Sequence, residues 1–93
     1  MTIPLSPQEV VIVNRLGLHA RAAAQFVRTA GTFQAEITVE GGGRTVNGKS
    51  IMGLLMLAAA QGTRLTLRAA GPDGALALAA LAALVRDRFG EAE

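Results

Sequence analysis

Apolar and polar residues alternate along two segments of this chain and recur at helical spacing along two others. Val10–Val13 is a short continuous apolar run rich in β-branched residues, closed by Asn14 and Gly17, and predicts a first strand. From Ala20 to Ala30 the residues Ala23, Phe26, Val27 and Ala30 fall at i, i+3, i+4 and i+7, with Arg21, Gln25, Arg28 and Thr29 off that stripe. This predicts an amphipathic helix that begins at His19 and stops at Gly31.

Phe33, Ala35, Ile37 and Val39 then alternate with Gln34, Glu36, Thr38 and Glu40, the period of a strand with one buried and one wet face. Gly41-Gly42-Gly43 permits a tight reversal, and Arg44–Asn47 reads as the returning arm of an antiparallel hairpin. Ser50 before the apolar run Ile51–Leu57 is a natural N-cap for a short helix. Its apolar residues go nearly all the way round, so at least one or two of Ile51, Met52, Leu54, Leu55 and Met56 should face water. Thr63–Ala70 alternates again, and Gly71-Pro72-Asp73-Gly74 turns the chain. Asp73 is placed to cap a last helix in which Ala77, Leu78, Leu81, Leu84 and Val85 share a face, running to about Phe89.

The order βαββαβα predicts an α+β, two-layer architecture: a four-stranded antiparallel sheet open to water on one face and covered on the other by three helices. A single domain over 1–93, with its core at about 9–89, accounts for the whole pattern; there is no internal repeat or linker. One apolar face is left over. Ala75, Leu76, Ala79 and Ala83 line a side of the last helix that is poorer in charge than a solvated surface usually is, which leaves the oligomeric state open.

Composition narrows the function. Half of the residues are apolar and 17% are charged, as in folded globular domains. Nine basic and seven acidic residues leave a net charge of +2, but the arginines are scattered among acids and the only aromatics are Phe26, Phe33 and Phe89. A base-stacking surface cannot be assembled from these, so no nucleic-acid partner is expected. No cysteine is present, which removes disulfides, thiolate chemistry and cysteine metal sites and suits a reducing cytoplasm. The first nine residues lack the basic start and apolar stretch of a signal peptide, and Leu54–Ala60 and Ala75–Val85 are too short to span a bilayer, so no membrane insertion is expected. Gly43 lies in a hairpin rather than a strand-to-helix loop, so it and Gly48-Lys49-Ser50 do not make a nucleotide-binding loop. No cofactor and no metal is expected.

The candidate chemistry lies in Gly17-Leu18-His19-Ala20-Arg21, which holds the only histidine. A helix start offers unpaired backbone N–H groups and the positive end of the macrodipole, worth roughly 0.3–1 kcal/mol to an anion held there. Imidazole is substantially neutral, and so nucleophilic, near neutral pH. A lone histidine at a helix start is ordinarily a cap and a nearby arginine ordinarily a solvated side chain; here their spacing favours a phosphoryl site.

Asn14-Arg15-Leu16-Gly17-Leu18-His19-Ala20-Arg21-Ala22-Ala23, with Lys49-Ser50-Ile51-Met52-Gly53-Leu54 and Gln61-Gly62-Thr63, resembles the histidine phosphocarrier (HPr/NPr) family of the bacterial phosphoenolpyruvate-dependent phosphotransferase system over roughly Glu9 to Phe89. The resemblance implies the open-faced β-sandwich of that family and a cytoplasmic, stoichiometric carrier rather than an enzyme. His19 would be the phosphoacceptor, through Nδ1, and Arg21 the phosphoryl contact. Phospho-enzyme I would be the donor and an EIIA-type protein of sugar uptake or nitrogen-related regulation the acceptor. Ser50 matches a serine modified by an ATP-dependent HPr kinase/phosphorylase in many members. Ile51 and Met52 match an apolar docking patch, to which Leu55 is added. Ala22 departs from the pattern, since members usually carry proline there; alanine restores an N–H and removes a stiff ring. Two rival readings remain: a regulatory binding module of the same fold without phosphotransfer, and a small RNA-binding domain supported only by the high isoelectric point.

Overall fold

The computed structural model describes residues 6–93. Its elements are β1 (Gln8–Val11), α1 (Ala20–Ala30), β2 (Glu36–Gly41), β3 (Arg44–Asn47), α2 (Ile51–Met56), β4 (Arg64–Ala70) and α3 (Gly74–Arg86), followed by a 3₁₀ turn at Arg88–Gly90. The four strands form one antiparallel sheet in the order β1-β4-β2-β3. Strand register places Val39 opposite Leu67 on one side and Val46 on the other, and Val10 opposite Leu65. Ile37, Val39, Leu65 and Leu67 point inward and are buried together with Ala23 and Phe26 of α1, Leu54 of α2 and Leu81 and Val85 of α3. The alternate positions Glu36, Arg64 and Arg68 are exposed, and Thr38, Glu40 and Thr66 half-buried. On that wet face Arg68 Nη1 lies 3.1 Å from Glu40 Oε1, an exposed pair that contributes at most about 1 kcal/mol. The predicted α+β sandwich, helices on one face only, is the observed fold.

Periodicity located the elements better than their ends. β1 begins at Gln8 and stops at Val11, and the run Val10–Val13 is buried only at alternate residues: Val10 and Ile12 inside, Val11 and Val13 exposed. It is an edge strand with one dry face, not a strand buried on both. β2 starts at Glu36, so Phe33, Gln34 and Ala35 lie before it although they continue its alternation. The reason is Asp73, whose carboxylate accepts the Gln34 N–H at 2.7 Å and the Ala35 N–H at 2.8 Å, taking the place of a neighbouring strand. The expected cap on α3 is correspondingly absent: Asp73 occupies the N-cap position but makes no side-chain bond to that helix. Gly31 closes α1 with φ −67°, so its freedom at positive φ is not what ends the helix. Between β2 and β3, Gly42 and Gly43 have φ of +57° and +80°, the two-residue turn whose twist suits a hairpin.

The last helix also ends early. α3 stops at Arg86, and Arg88, Phe89 and Gly90 follow with φ of +57°, +55° and +78°. Left-handed geometry costs each of the two non-glycine residues roughly 1–2 kcal/mol, and burying a phenylalanine returns roughly 1.5–3 kcal/mol, a comparable amount. Phe89 is in the core. The break in the helix puts Phe89 in the core and redirects Glu91–Glu93.

Candidate functional site

The loop into α1 is built from the inside. Ile12 continues the β1 side of the sheet through its N–H to Thr63 O at 2.9 Å, and Asn14, fully buried, donates its Nδ2 to Gly17 O at 2.8 Å. Gly17 has φ +70°, and a Cβ there would meet Ala59 O at 2.5 Å, so neither the backbone angle nor the space admits a side chain. Leu18 N–H donates to Ala59 O at 2.8 Å, which pins the loop before α1 to the segment after α2. His19 is then the N-cap, extended at φ −75° and ψ 177°, and its Nδ1 accepts the Ala22 N–H at a long 3.4 Å. The N–H that alanine supplies at this position is thus aimed at the imidazole. Ala20 and Arg21 lie in the first helical turn, whose N–H groups have no intrahelical acceptor.

The other face of the ring meets a residue far along the chain. His19 Nε2 is hydrogen-bonded to Glu91 Oε2, seventy-two positions away. Asn14 Nδ2 donates to the second oxygen, Oε1, at 2.9 Å, and Arg21 Nη2 lies 3.7 Å from Oε2. Glu91 is 13% exposed and His19 25%, whereas Arg21 is 75% exposed. The Asn14 amide, then His19 and Arg21, hold the Glu91 carboxyl below its ordinary range against an opposing desolvation. Neither Glu91 nor the anchoring role of Asn14 was visible in the sequence pattern. The turn at Arg88–Gly90 is what delivers Glu91, and no local periodicity announces it.

At the start of α2, Ser50 Oγ accepts the Gly53 N–H at 3.0 Å, the cap expected from the sequence. The helix is only six residues long. Leu54 is its one fully buried side chain; Ile51, Met52 and Met56 are exposed, Met52 at 70%. Leu55 is half-buried and packs on the core, so it presents less surface than Met56. Leu16, in the loop before α1, is also exposed. α1 packs against α2, so the fold holds the His19–Arg21 and Ser50–Met52 segments on neighbouring helices. Among the described residues no group of three or more histidine, aspartate or glutamate side chains is arranged to hold a metal ion, and no helix is long and apolar enough to cross a membrane.

A protein-family model described as the PTS HPr component phosphorylation site matches residues 7–87. The chain belongs to the HPr family of phosphocarriers. It is 51% identical over 86 residues to the phosphocarrier protein HPr of Neisseria meningitidis, covering 92% of this chain and 97% of that one. It is 45% identical over 85 residues to the phosphocarrier protein NPr of Shewanella violacea, covering 91% and 93%. The crystal structure of HPr-C-His from Thermoanaerobacter tengcongensis superposes with a TM-score of 0.91 at 43% identity, covering 96% of this chain and all of that one. The matched range contains the start of α1, where His19 and Arg21 lie. Membership in the HPr family establishes a phosphocarrier of the phosphotransferase system.

Proposed function

We propose that the chain accepts one phosphoryl group on His19 Nδ1 from phospho-enzyme I and passes it to an EIIA-type protein, in sugar uptake or nitrogen-related regulation. It works in the cytoplasm as a stoichiometric carrier with no turnover of its own. The observation that carries this reading is the orientation of the imidazole: Nδ1 faces the first turn of α1, while Nε2 is engaged by Glu91. A phosphoryl group on Nδ1 would meet the open N–H groups at the helix start and the exposed Arg21 guanidinium. Phosphoryl transfer depends mainly on positioning and charge stabilisation. An exposed arginine steadies the group without sequestering it, as onward donation requires.

Ile51 and Met52, with Leu55 at their edge, form the docking surface for both partners. Phosphorylation of Ser50 by an HPr kinase/phosphorylase would add about −1.5 to −2 charges beside that surface and weaken docking. The test is incubation with phosphoenolpyruvate and enzyme I followed by mass measurement. The parent gains one acid-labile phosphoryl group and His19→Ala gains none; label that persists in the variant removes His19 from the mechanism. Incubation with ATP and the kinase tests the regulation separately, an unmodified Ser50 counting against it.

A further inference from the structure

The His19 ring has two polar neighbours of opposite character. On the Nδ1 side stands the Ala22 backbone N–H, which can only donate. On the Nε2 side stands the Glu91 carboxylate, which in its ionised form can only accept. The two are compatible with one neutral tautomer: the proton resides on Nε2 and the lone pair on Nδ1. Glu91 is itself held, since Asn14, buried and tied to Gly17 O, binds its other oxygen. The carboxylate is therefore a fixed element of the site and not a passing surface contact.

We infer that Glu91 is a positioning residue for phosphoryl transfer, selecting the Nε2–H tautomer of His19 and balancing the charge that the ring gains on phosphorylation. This rests on the carrier reading above. In the step, the Nδ1 lone pair forms a bond to the phosphorus of the phosphorylated donor protein. The bond from phosphorus to the donor atom breaks, and its electron pair leaves with the donor. Nε2 keeps its proton, so the product is a phosphorylated imidazolium whose positive ring faces the Glu91 carboxylate. The logic is that of a carboxylate orienting a histidine in a nucleophilic site, where the acceptor fixes the tautomer and offsets the developing charge. Here the histidine is the nucleophile itself. The carboxylate also occupies Nε2, which directs the phosphoryl group to the nitrogen beside the helix start.

The test uses the full chain with ¹⁵N-labelled histidine. In the unphosphorylated parent near neutral pH, the imidazole ¹⁵N shifts should report Nε2–H as the dominant neutral tautomer. Glu91→Ala should move the ring toward a mixture of tautomers and slow phosphorylation by enzyme I and phosphoenolpyruvate by about 10-fold or more. Glu91→Gln, close in shape and able to accept through its carbonyl, should retain the tautomer and still lose rate, separating orientation from charge. A tautomer balance unchanged in Glu91→Ala overturns the proposal, as does phosphorylation that is unchanged or faster in that variant, which would make the carboxylate a bystander or a brake. A parent with the expected tautomer that takes no label overturns the carrier reading and, with it, any role of Glu91 in transfer.

Discussion

At the start of α1 an imidazole nitrogen accepts the Ala22 N–H at 3.4 Å; at the start of α2 a hydroxyl accepts the Gly53 N–H at 3.0 Å. Both are side-chain caps on the third N–H of a helix, and both stand next to exposed groups. They differ in what holds the capping side chain from behind. Ser50 needs only its own backbone, so its cap is complete within four residues. His19 makes a long, weak cap and is fixed on its far side by Glu91, which Asn14 in turn holds. The Ser50 cap is complete within its own helix start, whereas the His19 ring is oriented from across the molecule.

The strongest way to break the comparison is to make the first helix start like the second. His19→Ser replaces the imidazole by one of the best N-cap residues. Stability, measured by urea unfolding, should stay within about 1 kcal/mol of the parent, while acceptance of a phosphoryl group disappears entirely. A large loss of stability would mean that the histidine is held for folding, and the contrast would fail.

Arg21 sharpens the same contrast at a lower amplitude. Its side chain is mostly in water and among the described residues its charged partner is Glu91 at 3.7 Å, so Arg21→Ala should leave thermal stability unchanged. Phosphorylation should slow by roughly 10-fold, less than the loss for a fully enclosed donor because solvent screens the exposed guanidinium. Arg21→Lys should recover part of the rate, since it restores the charge without the planar fork. Equal rates for all three would reduce Arg21 to a solvated residue.

Ser50→Ala is the mirror experiment. It should lower stability by about 0.5–2 kcal/mol, the ordinary worth of an N-cap, because Ser50 Oγ is the acceptor of the Gly53 N–H among the described residues. Chemistry at His19 should survive in the assay with enzyme I and phosphoenolpyruvate. Loss of labelling in a folded Ser50→Ala protein would show that the two helix starts are not independent.

What the sequence made legible divides along the same line. The Ser50 cap, the glycine hairpin, the α1 stripe and the sandwich itself follow from patterns a few residues long. The His19–Arg21 pair is also local, and the family resemblance rests on it. Glu91 could not be read. It reaches His19 only because Phe89 is pulled into the core and α3 breaks at Arg86, and the apolar spacing of α3 continues smoothly to Phe89 as though the helix did too. Asp73 failed for the opposite reason. Aspartate before a helix is a reliable local cap signal, but here two strand-edge N–H groups from Gln34 and Ala35 compete for the carboxylate and win.

That third helix start supplies the smallest and most discriminating prediction. Because Asp73 accepts from Gln34 first, with help from Ala35 and the nearby Lys49 charge, its carboxyl is held below its ordinary value of 3.8. A carboxyl depressed in the folded state contributes stability that is present in full above its unfolded value and is lost as pH falls through the lowered folded value. Asp73→Asn keeps one acceptor oxygen, cannot take both N–H groups equally well and does not titrate. The parent should therefore be slightly more stable than Asp73→Asn at pH 7, and the gap should close as the pH falls from about 4 toward 2. Urea midpoints across that range measure it. Since the carboxylate serves the β2 entry and not the α3 cap, protection of the Gln34 and Ala35 amides against hydrogen exchange should fall in the variant while the first-turn amides of α3 are unaffected. Loss of protection in α3 instead would restore Asp73 to the role its sequence position suggests and place it beside Ser50 as a self-contained cap.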